Sequence, residues 1–113
     1  MQKIVGRIVS VAVLIKKDKV IAVSNFVYIV RCRDNTLYTG WTTNLKRRLN
    51  EHNKEKGAKY TRGRTPVKLV YYEKLNSKSR ALKREHEIKK MKKIQKEELV
   101  NNFNQELEVF NRR

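Results

Sequence analysis

Glu85 sits where a solvated carboxylate has no reason to be. It lies four residues after Ala81, three after Leu82 and three before Ile88. Helical geometry therefore puts it inside the apolar stripe of Ala81, Leu82, Ile88 and Met91. A carboxylate there needs a cation, for which Arg48 is a candidate, or a metal ion, because burying it alone is costly. Glu87 falls well off this face and is expected to be solvated. Upstream, Arg48 and His52 are four residues apart, beside the thin apolar stripe of Leu45 and Leu49. Lys46 and Arg47 point elsewhere. One arginine and one histidine are thus turned toward the interior side, which a solvated basic helix would not require. The plain alternatives are an Arg48 stem covering apolar surface and a His52 satisfied at a helix end. Two tyrosines raise a similar question. Tyr28 and Tyr38 lie in short β-like runs joined by an Asp34-Asn35 turn, with Gly40 two residues after Tyr38. Period-2 alternation does not prove that both rings share a face, but so short a turn brings neighbouring strands together.

A basic surface surrounds these groups. Eight Lys/Arg fall between Lys46 and Arg64, and nine between Lys78 and Lys96. The loop Lys59 to Arg64 mixes Tyr60, Thr61 and Gly63 with Lys59, Arg62 and Arg64. That mixture suits phosphate contact, since glycine permits close backbone approach and arginine donates bidentately; a merely solvated basic loop is the alternative. The candidates for nucleic-acid contact are Lys46, Arg47, Lys59, Tyr60, Arg62, Arg64, Lys83 and Arg84.

The elements that must position these residues can be read from pattern. Phe26 to Arg33 and Thr36 to Gly40 form a hairpin. Thr43 or Asn44 caps a helix over Leu45 to Lys54, which Gly57 breaks. A basic loop runs to Pro66, and Val67 to Leu75 is a third strand. Ser77 or Ser79 caps a long helix to about Met91. A last helix begins near Lys96, with Leu99, Phe103, Leu107 and Phe110 on one stripe. The order ββαβαα predicts an α+β fold, a small three-stranded antiparallel sheet flanked by helices. Residues 1–25 read as an extension, either an added β-hairpin or an unstructured lead, and 26–113 as the domain.

The chain has 113 residues, enough for one compact domain, and 28 Lys+Arg against 11 Asp+Glu give a formal net charge of +17. Such an excess repels itself in the folded state and makes sense beside a polyanion, nucleic acid first and an acidic membrane surface second. Charge alone does not separate DNA from RNA. Cys32 is the only cysteine, so an internal disulfide and a Cys-based zinc site are excluded. This fits a reducing cytosol, and a cytoplasmic location is expected. The longest apolar stretch, Ile8 to Ile15, is too short to span a bilayer. Lys3 and Arg7 precede it, but Lys16-Lys17-Asp18-Lys19 follows in place of a cleavage site, so it reads as a strand.

Taken in order, "VYIV" around Tyr28, "YTG" at Tyr38 to Gly40, "LKRRLNEHN", "GAKYTRGRTPVKLVY" and "ALKREHEIKKM" resemble the GIY-YIG nuclease superfamily, most closely its small stand-alone bacterial members. The first motif carries Val27 for the usual Ile and Phe26 for Gly; the second carries Thr39 for Ile. The resemblance implies a one-metal phosphodiesterase. By that likeness Glu85 holds a single divalent ion, Mg²⁺ or Mn²⁺, beside the scissile phosphate. Arg48 binds the same phosphate, Tyr28 and Tyr38 position the attacking water, and His52 supports that step or orients a phosphate. Tyr28 is the preferred base, which requires its pKa to be pulled below the ordinary value of about 10, and nearby cations act in that direction. DNA is the expected substrate, cut by structure rather than by a long sequence. A non-catalytic nucleic-acid-binding module and a basic ribosome-associated protein are the competing functions.

Overall fold

A computed structural model describes residues 24–111 in backbone and the side chains as far as Glu106. The apolar run Ile8 to Ile15, most of the 1–25 extension, and Leu107 and Phe110 of the last stripe lie outside these described side chains.

Strand β1 (Asn25–Arg31) pairs antiparallel with β2 (Leu37–Thr42) on one side and β3 (Lys68–Leu75) on the other, giving the order β2-β1-β3. The hairpin turn is tightened by Asp34, whose carboxylate accepts from the Thr36 hydroxyl at 2.6 Å and from its backbone N–H at 3.2 Å. Asn35 takes the left-handed conformation there (φ 70°), as asparagine tolerates. The strands end nearer Arg31 and begin nearer Leu37 than the pattern suggests, because residues 32–36 close the turn.

Alternation along β1 sorts the core into two layers. Val27 and Ile29 face one way, packing with Tyr71, Ala81, Ile88, Val100 and Phe103. Tyr28, Val30 and Cys32 face the other, packing with Val67 and against Leu45 and Leu49. The buried Cys32 is a small hydrophobe in that second layer. In β3 the pairing slips between Ile29 and Val30, leaving Val70 without a partner position in the ladder. Val70 and Tyr71 both pack into the first layer, while Leu69 packs into the second.

Helix α1 (Leu45–Asn53) covers the Tyr28 face and is capped by Asn44, whose side chain accepts from the Arg47 N–H at 2.9 Å. Gly57 does not end this helix. The chain stops at Asn53, and the left-handed residue past the end is Glu55 (φ 63°). Glu55 is fixed there by two bonds from across the loop, from Gly63 N–H at 2.8 Å and the Thr65 hydroxyl at 2.5 Å. Helix α2 (Lys78–Lys89), capped by Ser77, and helix α3 (Lys93–Asn111) cover the opposite face. In α2 the buried positions are Ala81 and Ile88; Leu82 is 40 % exposed, because it falls to one side of the line joining them. Arg31 and Glu97 bind in a two-pronged pair at 2.8 and 2.7 Å, tying the end of β1 to α3. The fold is thus α+β, a three-stranded antiparallel sheet with three helices. Among the described residues, no helix is long and apolar enough to cross a membrane.

Candidate active site around Tyr28

Register decides where the tyrosines go. Tyr28 stands opposite Gly40 and Val30 opposite Tyr38, so both rings rise from the same face of the hairpin. Gly40 has a steric reason. A Cβ there would lie 2.7 Å from the Tyr28 hydroxyl oxygen and 2.8 Å from its ring carbon, with the Tyr38 ring at 3.1 Å. Tyr28 lies across its neighbour strand, and only glycine leaves room for it.

Below the rings is a buried chain of hydrogen bonds. The Tyr28 hydroxyl meets His52 Nε2 at 2.8 Å, and His52 Nδ1 meets Thr61 Oγ1 at 2.9 Å. The Thr61 hydroxyl donates to the Ala58 carbonyl at 2.9 Å. A hydroxyl has one proton, so Thr61 receives its bond from His52, and Nδ1 carries the imidazole proton. Nε2 is therefore a bare acceptor, and Tyr28 donates to it. Tyr28, His52 and Thr61 are all buried, at 2 %, 0 % and 0 % exposure. Burial, then the positive charge of Arg48, pushes the His52 pKa down to about 4, so the ring is neutral at ordinary pH.

Gly57 closes this chain from the outside. A Cβ at Gly57 would sit 2.3 Å from His52 Nδ1 and 2.9 Å from its Cα. Its role is close approach over the histidine, not helix termination. Neither Thr61 nor Gly57 stands out as a site residue by spacing. The signal available was a hydroxyl and a glycine in the short loop that follows His52.

Arg48 and Glu85 both act electrostatically on the Tyr28 hydroxyl. Arg48 is within hydrogen-bonding reach of Tyr28 and also pairs with Glu51 at 3.0 Å. Glu85 is close enough for its charge to act on Tyr28. Its carboxylate pairs with Lys89 at 3.1 Å rather than with Arg48, and its side chain is 15 % exposed. Burial raises the Tyr28 pKa to about 12; Arg48 pulls it down, while Tyr38 and Glu85 push it further up. The depressed tyrosine pKa expected from nearby cations is not what these groups alone produce, because desolvation outweighs Arg48.

Tyr38 packs edge-on to His52, with ring centroids 5.5 Å apart, and stacks with Tyr60 at 5.9 Å and an interplanar angle of 22°. The Arg64 guanidinium lies 4.1 Å from the Tyr60 ring centre, held in place by Asp34 at 3.0 Å and the Tyr60 carbonyl at 2.7 Å. Lys46, Arg47, Lys59, Arg62 and Lys83 are exposed. Arg84 differs: Glu73 at 2.9 Å and Glu87 at 3.2 Å hold it on the α2–α3 side of the sheet. The structure thus brings Tyr28, Tyr38, Arg48, His52 and Glu85 together, with Tyr60 beside them, and places Arg84 apart.

The sequence matches the GIY-YIG catalytic domain over residues 24–98. A UPF0213 protein of Natronomonas pharaonis is 57 % identical over 79 residues, 70 % of this chain and 93 % of that protein. A UPF0213 protein of Clostridium perfringens is 55 % identical over 76 residues, covering 67 % of this chain and 82 % of its own length. A protein of E. faecalis solved by solution NMR is 41 % identical, with a TM-score of 0.50, over 72 % of this chain and 86 % of that one. The residues gathered around Tyr28 all fall within the matched span, and the chain belongs to the GIY-YIG family.

Proposed function

We propose that this protein is a metal-dependent endonuclease that hydrolyses phosphodiester bonds in nucleic acid, with DNA as its substrate. The observation that carries this reading is the Tyr28 hydroxyl, bonded to the bare Nε2 of His52 while Arg48 and Glu85 stand beside it. Its proton points to an acceptor, so a lone pair of its oxygen is left to orient a water molecule. As that water attacks phosphorus, its proton passes to the Tyr28 oxygen and the phenol proton passes to His52 Nε2, whose low basicity rises when the bound phosphate offsets the Arg48 charge that helps depress it. The Nδ1–H bond to Thr61 holds the ring in orientation throughout. With a pKa raised to about 12, Tyr28 works as a relay and not as a standing tyrosinate. Arg48 binds the scissile phosphate and offsets the charge that grows on it.

The donor at Glu85 fits a divalent ion. It is a hard carboxylate oxygen, mostly withdrawn from water, whose partner is the half-exposed Lys89. Mg²⁺ and Mn²⁺ take such ligands, and Mg²⁺ keeps several waters when few carboxylates bind it. Glu85 is the residue that would hold the ion, which supplies Lewis-acid stabilisation of the phosphate and leaving oxygen. The net charge of +17 makes affinity phosphate-driven and strongly salt-dependent.

The test is cleavage of labelled branched and linear DNA in Mg²⁺ or in EDTA, comparing the native chain with Glu85→Ala. Metal-dependent cutting that the variant loses while still binding DNA supports the proposal. A folded native chain that binds DNA and cuts no substrate refutes it in favour of a binding module.

A further inference from the structure

Beside the tyrosine cluster is a pocket that the relay does not use. It measures about 210 Å³ and is lined by Thr36, Leu37, Tyr60, Lys93 and Lys96. Among the described strands β2 is at a sheet edge, and the pocket lies where that edge begins, between Tyr60 and the first turns of α3. Its walls have two characters. Leu37 and Tyr60 offer apolar and aromatic surface, with Tyr38 stacked on the Tyr60 ring and Arg64 over it; Lys93 and Lys96 add cationic side chains to the lining. The Lys93 ammonium donates to the Asn35 carbonyl at 3.1 Å, which fixes it over the hairpin turn. The volume falls below the roughly 300–1,000 Å³ of clefts that enclose whole small-molecule ligands. It suits one flat heterocycle with an anionic group attached.

The pocket is continuous with the reactive cluster through one residue. Tyr60 lines it and also stacks on Tyr38. A strand whose phosphate lies at Tyr28 would pass Tyr38 and Tyr60 on its way to the pocket. A base inside a duplex is stacked and paired, and it cannot enter. A base that is already unpaired enters without that cost, and a lining of Leu37 and Tyr60 carries no base-specific pattern of donors and acceptors.

We infer that the Thr36–Leu37–Tyr60–Lys93–Lys96 pocket is a subsite for a single unpaired nucleotide next to the scissile phosphate, its base against Tyr60 and Leu37 and its phosphate on Lys93 and Lys96. This rests on the nuclease reading above and names the substrate class: DNA with a bulged, flapped or single-stranded nucleotide beside the cut.

The probe is a DNA duplex carrying one bulged 2-aminopurine, with a fully paired 2-aminopurine duplex as reference. Both are titrated in EDTA so that no strand is cut. The native chain is expected to change the fluorescence of the bulged probe and not of the paired one. Lys93→Gln/Lys96→Gln should lose that change and weaken binding to the bulged probe roughly tenfold, with a clearly smaller loss on the paired duplex. Lys68→Gln/Lys74→Gln, which removes the same charge from the distant strand β3, should keep the change. Equal weakening of both probes by the two double variants would overturn the subsite and leave only general electrostatics. So would a native chain that does not alter the bulged probe. Because the assay reads base insertion without cleavage, failure here leaves the nuclease reading standing, and failure of the Mg²⁺ cleavage test leaves this result readable.

Discussion

Thr61 sets the direction of the proposed relay, and Thr61→Val tests that. Valine keeps the volume and removes the hydroxyl. His52 Nδ1–H then loses its acceptor at 2.9 Å, inside a site where histidine is 0 % exposed. The Ala58 carbonyl loses one donor but keeps the Thr61 backbone N–H at 3.0 Å. One buried donor left unsatisfied costs about 1–3 kcal/mol. Taking about 2 kcal/mol, a domain of this size should lose roughly 8–16 °C in Tm. The ring can recover part of that by moving its proton to Nε2, but Nε2–H then faces the Tyr28 hydroxyl, and Tyr28 must turn its own proton away. Nitrogen-resolved NMR of the imidazole reads this directly. The native chain should show a proton on Nδ1 and a bare Nε2. Thr61→Ser should keep that state and the cleavage rate. Thr61→Val should mix the two tautomers and cut roughly 10–100-fold more slowly, as when the support of a functional histidine is removed. A native His52 protonated on Nε2 would refute the proton assignment and the relay built on it.

Three further outcomes follow from the same geometry. Gly40→Ala should push Tyr28 off His52, costing about 1–3 kcal/mol in urea denaturation together with most cleavage activity. Gly57→Ala should be at least as harmful, since its Cβ would meet the backbone Cα of His52 at 2.9 Å as well as the ring; thermal melting checks it, and a native Tm would contradict the close approach. The His52 pKa is lowered from 6.5 to about 4 in the fold. The unfolded chain therefore takes up this proton first, so stability is full above pH 6.5 and falls as pH drops toward 4. The loss between pH 7 and pH 5 should be about 2 kcal/mol, above the range where carboxylates titrate, and a urea midpoint unchanged over that interval would show that His52 is not neutral and buried.

The architecture was legible because each element carries its own signal. The hairpin has its Asp34-Asn35 turn, α1 and α2 have their Asn44 and Ser77 caps, and the strand runs are β-branched. The functional candidates were legible for a different reason: Glu85, Arg48 and His52 each break a solvation pattern. What pattern could not supply was partnership. Glu85 turned to Lys89, four residues away on its own helix, and not to Arg48 on another. Thr61 looked like part of a phosphate-binding loop, because nothing local says that its hydroxyl turns inward to a histidine nine residues earlier. Gly57 had the residue type of a helix stop, yet Glu55 took that conformation under the pull of Gly63 and Thr65, contacts made across the loop. Leu82 looked like core because it is apolar, and its place to one side of the Ala81–Ile88 line left it outside.

The burial of Tyr28, His52 and Thr61 means that the relay is also structural filler. On the proposed reading, a descendant that gave up cutting could not discard these three without repacking the space beneath α1, whereas Glu85, paired with the half-exposed Lys89 on its own helix, could be replaced at little cost to folding. Decay would therefore erase the carboxylate first and leave the tyrosine signatures in place. On the same reading, the tyrosine motifs would report that the scaffold has been inherited, and the residue at position 85 whether it is still employed.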